Sequence, residues 1–283
     1  MQRNSLIHSL IFLLAVFVIC FHMGFSLKSN DPTPVKIVER SNEVNKVLES
    51  VSANTFKVNS APLAIFDQYV ETSYQAAGLA QAGLTLETYR EAVTGYHNIM
   101  SANSVSIAKP LMTIIDFNQS SKNRRLWVID MAANKVVYNT WVAHGQGSGG
   151  EYATSFSNTT NSYQSSLGFY TTQNTYVGKH GTSLKLEGLD DGFNTNAWQR
   201  YIVVHGAAYA NADVIKVNGR LGRSQGCPAL PLDIAQPIIN TIKNKTVLYI
   251  DGPSKSYSSS YLDVERAALC FSADKNGQGH LPS

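Results

Sequence analysis

Hydrophobic positions along this chain change period several times. Residues 6–21 are almost wholly apolar behind a start carrying Arg3, and polar residues resume at 26–30. A basic start, an apolar run and the small-x-small exit Gly24-Phe25-Ser26 predict a secretory signal over residues 1–26. An uncleaved single-pass anchor is the competing reading, since the run approaches bilayer-spanning length. Cys20 follows Phe17-Val18-Ile19, which lacks the small residues of a lipoprotein site. Residues 27–60 are polar, contain Pro32 and Pro34, and read as a linker with one helix near 39–51.

Over 61–104 the spacing is helical. Leu63, Phe66, Val70 and Tyr74 share one face behind Ala61-Pro62. After Gly83, Thr85-Leu86-Glu87 opens a second helix with Tyr89, Val93, Tyr96 and Met100 on one side. Both helices are expected to cover a core. Residues 105–253 then read as strands and loops. Segments 111–117, 125–130 and 136–143, the last two joined by a turn at 132–135, predict an antiparallel meander. Residues 144–150 form a glycine-rich loop, and 151–166 are turn-forming. Residues 168–172 give another strand, and 201–204 a short one ending at His205. Residues 232–242 predict a helix with Asp233 as cap and Pro237 in its first turn, followed by a strand at 246–251. Lys185, Glu187, Asp190 and Asp191 read as solvated loop residues, and 254–283 as a C-terminal tail. The expected fold is a mostly β domain with an α-helical N-terminal layer.

Composition changes this picture little. A formal charge of +3 with only 15% charged residues gives no basis for nucleic-acid binding. At 43% hydrophobic with no second long apolar run, the chain after the signal reads as globular. Among the three cysteines, Cys227 and Cys270 remain once the signal is removed. A disulfide between them is the structural alternative for an exported chain.

Cys227 stands in the turn Arg223-Ser224-Gln225-Gly226-Cys227-Pro228, downstream of the apolar strand end Val203-Val204-His205-Gly206. A thiol reacts as its thiolate, so it needs a base in reach, and donors for a developing oxyanion. His205 at a rigid strand end is the candidate base. Gly226 frees the backbone so that amides at Gly226 and Cys227 can converge on a carbonyl oxygen. Arg220 and Arg223 are candidates to lower the thiol pKa or to bind a substrate carboxylate. His144 and His180, each before a glycine, belong to loops expected to rim the same cleft. Gly178-Lys179-His180-Gly181 lacks the Ser or Thr that a phosphate loop needs after its lysine. Neither a His-Glu-x-x-His helix nor a Cys-x-x-Cys pair occurs, so no metal and no cofactor is expected.

His205-Gly206 with Ser224-Gln225-Gly226-Cys227 resembles the L,D-transpeptidase (YkuD-like) catalytic-domain family, in particular its murein L,D-transpeptidase branch. The similarity runs from about 111 to 253 and includes 164–170 and 178–181. It implies a β-sandwich-like catalytic domain, Cys227 as nucleophile, His205 as base, and a turn around Ser224 and Gly226 forming the oxyanion site. The broad family carries Ser/Thr-His-Gly-Cys with an arginine two residues on, and a Thr-Pro-x-Gly segment. Here Gln225 replaces that histidine, Ala229 the arginine, and Ser165-Ser166-Leu167-Gly168 the third element. Arg220, Arg223 or Lys179 would then supply the lost cation. Together with Gly206, Tyr209, Gln225 and His180 they make up the candidate substrate-binding set.

The resemblance implies attack by Cys227 on a peptidoglycan tetrapeptide stem with loss of D-alanine, then transfer to an amine of a second stem. With water as acceptor the same residues give an L,D-carboxypeptidase. A non-catalytic cell-wall-binding protein with a Cys227–Cys270 disulfide is the alternative from another class. A general cysteine peptidase ranks last, because the papain and caspase signatures are absent. Expected partners are peptidoglycan stem peptides, with no nucleic acid and no stable membrane partner after signal cleavage. The expected location is the periplasm or cell envelope.

Overall fold

The structure, a computed structural model, describes residues 61–102 and 105–275. The expected signal at 1–26 and the linker at 27–60 lie outside the described residues. Residues 61–76 are helical (α1), and α2 covers Leu86–Met100. Thr85 starts α2 by accepting the Thr88 N–H on its hydroxyl, as a helix cap does. The strands are β1 (Leu111–Asp116), β2 (Leu126–Asp130), β3 (Lys135–Thr140), β4 (Gly168–Gly178), β5 (Gly181–Gly188), β6 (Val203–Gly206), β7 (Ala229–Leu230) and β8 (Val247–Asp251). Helices α3 (Ala212–Asn218), α4 (Leu232–Ile242) and α5 (Val264–Lys275) complete the chain order.

All eight strands join one sheet in the order β3-β2-β1-β8-β4-β5-β6-β7. The meander forms, with β1, β2 and β3 antiparallel. Parallel pairs β1–β8 and β6–β7 make the whole sheet mixed. Both faces are buried, which explains the nearly continuous apolar runs. Met112, Ile114, Trp127, Ile129, Val247 and Tyr249 meet Phe66, Val93 and Phe271 of the helical layer. Their alternate neighbours Ile115, Leu126, Val128, Leu248 and Ile250 meet Ile238, Ile239 and Ile242 of α4. Each such buried side chain contributes about 1.5–3 kcal/mol. The result is the mostly β domain with its α-helical N-terminal layer.

Several local expectations change. β4 runs on to Gly178, and β5 follows after the two-residue loop Lys179-His180. Lys185 and Glu187 are therefore strand residues, alternating with buried Leu184 and Leu186. Asp190 is only 3% exposed: it accepts from the Phe169 N–H and from the hydroxyls of Tyr257 and Ser259. Those donors replace the water that a solvated loop would have given it. Pro231, not Asp233, holds the cap position of α4, and no side chain caps it. Pro237 lies inside the helix rather than in its first turn, on the exposed side, where the carbonyl it leaves unpaired can meet water. Much of the expected tail is α5, which buries Ala267, Ala268 and Phe271 against the helical layer. Among the described residues no helix is long and apolar enough to cross a membrane.

Candidate active site

The register of β6 and β7 brings the two chemical groups together. His205 lies level with Ala229, and its N–H donates to the Pro228 carbonyl at 3.3 Å. Cys227, two residues before Ala229, therefore lies beside Val203, whose N–H points at Sγ across 3.5 Å. The thiol donates in turn to the Tyr201 carbonyl at 3.4 Å. Both Cys227 and His205 line one cleft of about 740 Å³.

His205 is 2% exposed, and its Nδ1 lies 2.9 Å from the Gly206 carbonyl. Since a carbonyl only accepts, Nδ1 carries the proton and Nε2 keeps its lone pair. The group that orients the imidazole is thus the carbonyl of the next residue. Burial lowers the His205 pKa; the Gly206 bond opposes this, while His180 and Lys179 add to it. Burial pushes the Cys227 thiol up, with Val203 N–H, Arg200 and Lys179 pulling back. At neutral pH these directions favour an uncharged thiol beside an uncharged imidazole.

The turn before Cys227 is built by Ser224. Its hydroxyl donates to the Cys227 carbonyl at 2.6 Å and accepts from the Gly226 N–H at 3.0 Å. Gly226 has φ +121°, and a Cβ there would come within 2.8 Å of the Gln164 carbonyl. The Gly226 N–H, expected as an oxyanion donor, is therefore already engaged, and Gly226 contributes conformation. The Cys227 N–H has no hydrogen-bond partner among the described residues and remains available. Fully buried Ser165 clamps the turn from behind: it donates to the Gly226 carbonyl at 3.1 Å and accepts from the Gly145 N–H at 3.0 Å.

Of the candidate substrate-binding residues, Lys179, His180, Tyr209, Arg223 and Gln225 line the cleft with Cys227, His205 and Ser224. Arg220 does not; its guanidinium donates to the Leu221 carbonyl. Gly206 is buried against Leu232 and Ala235 and contributes its carbonyl. His144 is buried and away from the cleft, with Nδ1 bonded to Arg125. Arg220 and Arg223 do not set the thiol pKa as expected; Arg200 and Lys179 act on it. Arg200 escaped the sequence reading. It lines the cleft and donates to the Ser157 and Gln164 carbonyls and the Ser162 and Ser166 hydroxyls, pinning the 157–166 loop. Its place just before the strand ending at His205 was the available signal. Cys227 and Cys270 are both free thiols, so the disulfide alternative is not what the structure contains. Among the described residues no group of three or more His, Cys, Asp or Glu could hold a metal ion.

A family model described as L,D-transpeptidase catalytic domain matches residues 80–250, and the chain belongs to that family. The match begins upstream of α2, so the family domain takes in part of the helical layer. Similar solved structures include an L,D-transpeptidase from Mycobacterium smegmatis, with 11% identity and TM-score 0.32, covering 51% of this chain and 60% of that one. Another is an L,D-transpeptidase from Mycobacterium tuberculosis, with 14% identity, TM-score 0.31 and coverage of 51% and 58%. The helical cell shape determining protein Pgp2 from Campylobacter jejuni gives 10% identity, TM-score 0.37 and coverage of 66% and 65%. The chain spans less than two thirds of each of these proteins. A comparison with curated proteins finds no match.

Proposed function

We propose that this protein is an exported L,D-transpeptidase that acts on peptidoglycan tetrapeptide stems through an acyl-enzyme on Cys227. The observation that carries this reading is the His205 Nδ1–Gly206 carbonyl bond, which leaves Nε2 open in the cleft that holds the thiol. As Sγ attacks the carbonyl between the diamino acid and the terminal D-alanine, its proton passes to Nε2. The unpaired Cys227 N–H is the donor best placed for the oxyanion. D-alanine leaves with the proton from His205, and a thioester remains. An amine of a second stem then attacks the thioester, the Cys227 thiol is regenerated, and an amide joins two diamino acids. One amide is broken and one is made, so the exchange is near thermoneutral.

Water as acceptor would make the same residues an L,D-carboxypeptidase. The cleft of about 740 Å³ is within the range of roughly 300–1,000 Å³ for ligand sites, and the acceptor is the point on which the two readings differ. Lys179 and Arg223 offer positive charge to stem carboxylates there, the role expected for the missing arginine. Residues 105–253, covered by the helices of 61–104, form the catalytic unit in this reading. The signal segment at 1–26 and the family's work at the cell envelope support export to the periplasm or cell envelope.

Product analysis tests the assignment. The purified protein is incubated with tetrapeptide muropeptides and the products are weighed by mass spectrometry. Crosslinked dimer with release of D-alanine is expected, and none with Cys227→Ala. Tripeptide monomer alone would assign the carboxypeptidase.

A further inference from the structure

Next to the candidate active-site cleft lies a second concavity of about 290 Å³. Tyr176, Trp198 and Tyr201 give it three aromatic walls, Leu186 and Val203 aliphatic ones, and Lys185 a single ammonium. Tyr176, Tyr201 and Val203 line both spaces. The Val203 N–H and the Tyr201 carbonyl both touch Cys227 Sγ, so two of the residues shared by the two spaces also contact the thiol.

These rings do not belong to a core. Trp198 is 52% exposed and Tyr201 is 79% exposed. The Trp198 indole N–H has no hydrogen-bond partner among the described residues. Tyr201 holds φ +56°, a left-handed conformation that costs about 1 kcal/mol in a residue with a Cβ. Glycine would fit that turn more cheaply, yet a large ring stands there in solvent. Lys185 Nζ lies 4.7 Å above the Trp198 ring and 5.8 Å from that of Tyr176, and no carboxylate pairs with it among the described residues. Exposed rings gathered at a concave site mark a binding surface.

The lining selects the ligand. A wholly apolar group would desolvate the Lys185 ammonium and the indole N–H without giving either an acceptor. A bare anion would satisfy the ammonium and leave three rings unfilled. A pyranose ring answers both demands: its C–H face stacks on aromatic rings, while hydroxyl and acetamido oxygens at its rim accept hydrogen bonds. We propose that the Tyr176–Trp198–Tyr201 concavity is a subsite for an N-acetylated hexosamine of the glycan strand, held beside the stem under reaction at Cys227. This rests on the stem-peptide reading of the cleft.

A ligand-observed NMR titration of the full chain with a peptide-free tetrasaccharide of N-acetylglucosamine and N-acetylmuramic acid tests it. Saturable binding is expected for the wild type and for Cys227→Ala alike, and binding at least tenfold weaker for Trp198→Ala. Tyr201→Asn, which tolerates the left-handed backbone, is expected to weaken binding too, with circular dichroism checking that each variant folds. Absent binding by the wild type, or equal affinity in both ring variants, would overturn the subsite. Binding of free tetrapeptide at these rings with none of the glycan would overturn it as well. The glycan has no scissile amide, so this result is independent of acyl-enzyme formation, whose failure would appear only with tetrapeptide.

Discussion

The imidazoles of His205 and His180 lie stacked, with ring centroids 4.2 Å apart and planes 20° from parallel. His180 reaches that position from the two-residue loop between β4 and β5, which also carries Lys179. Two imidazoles in contact cannot both hold a proton cheaply, so their titrations are linked. The charges on this loop thus bear on the protonation of the proposed base.

The first prediction concerns pH. His205 must be neutral to accept the thiol proton, and its pKa lies below the ordinary 6.5 through burial, with His180 and Lys179 adding to the effect. Activity therefore rises with pH through an acid limb below 6.5. Lys179→Met removes one of the charges that lower it, so the limb moves to higher pH. The same shift is expected in wild type at high salt, because Lys179 is exposed and screened. Profiles of kcat/KM against pH at two ionic strengths check both.

Ser224→Ala leaves the Gly226 N–H and the Cys227 carbonyl without their shared partner. Loss of such buried bonds costs about 1–3 kcal/mol. If that cost falls on the geometry of the turn, kcat/KM drops about 10- to 100-fold. Ser224→Thr keeps the hydroxyl and is expected to recover most of the loss. Steady-state kinetics on the two variants provide the comparison.

Arg200 combines a cation that favours the thiolate with four anchors on the 157–166 loop. Arg200→Met is expected to move Cys227 alkylation to higher pH and to slow acylation by about tenfold or more, the scale of one lost charged hydrogen bond. Iodoacetamide labelling followed across pH by intact mass reads the thiol directly. Hydrogen exchange in 157–166 reads the loop.

A fourth prediction lies away from the cleft. Asp251 is raised to about 7, first by burial and then by Glu91 and Asp116. A carboxyl raised on folding contributes stability that is complete below its unfolded pKa near 4 and is lost as pH climbs through 7. Glu91→Gln can keep the acceptor for the Tyr249 hydroxyl and removes one repelling charge. It should stabilise the protein by about 0.5 kcal/mol at pH 8, after allowance for solvent screening, and by little at pH 5. Thermal melts at both pH values measure the difference.

Runs such as 111–117 and 246–251 were legible because both of their faces enter dry cores, which makes them nearly continuous apolar segments rich in β-forming residues. The far half of β4 was not, since Gln173 to Gly178 is polar and largely exposed there, and only Leu184 and Leu186 signalled β5. That Cys227 and His205 share one cleft could be read from two short motifs. Of the cations, Lys179 was among the candidates but Arg200 was not: it acts on the thiol from the turn before β6, whereas Arg220, closer in sequence, donates to the Leu221 carbonyl outside the cleft. That the Gly226 amide is engaged by a serine two residues away was not legible either, a competition that spacing alone does not reveal.

The central claim is that Cys227 carries the acyl group and His205 takes its proton. Its most direct test is the intact mass of the protein after incubation with a carbapenem, followed by peptide mapping. One adduct per chain on the peptide holding Cys227 is predicted, absent in Cys227→Ala and formed far more slowly in His205→Ala. An unchanged mass in the wild type, or an adduct that persists in Cys227→Ala, would contradict the account.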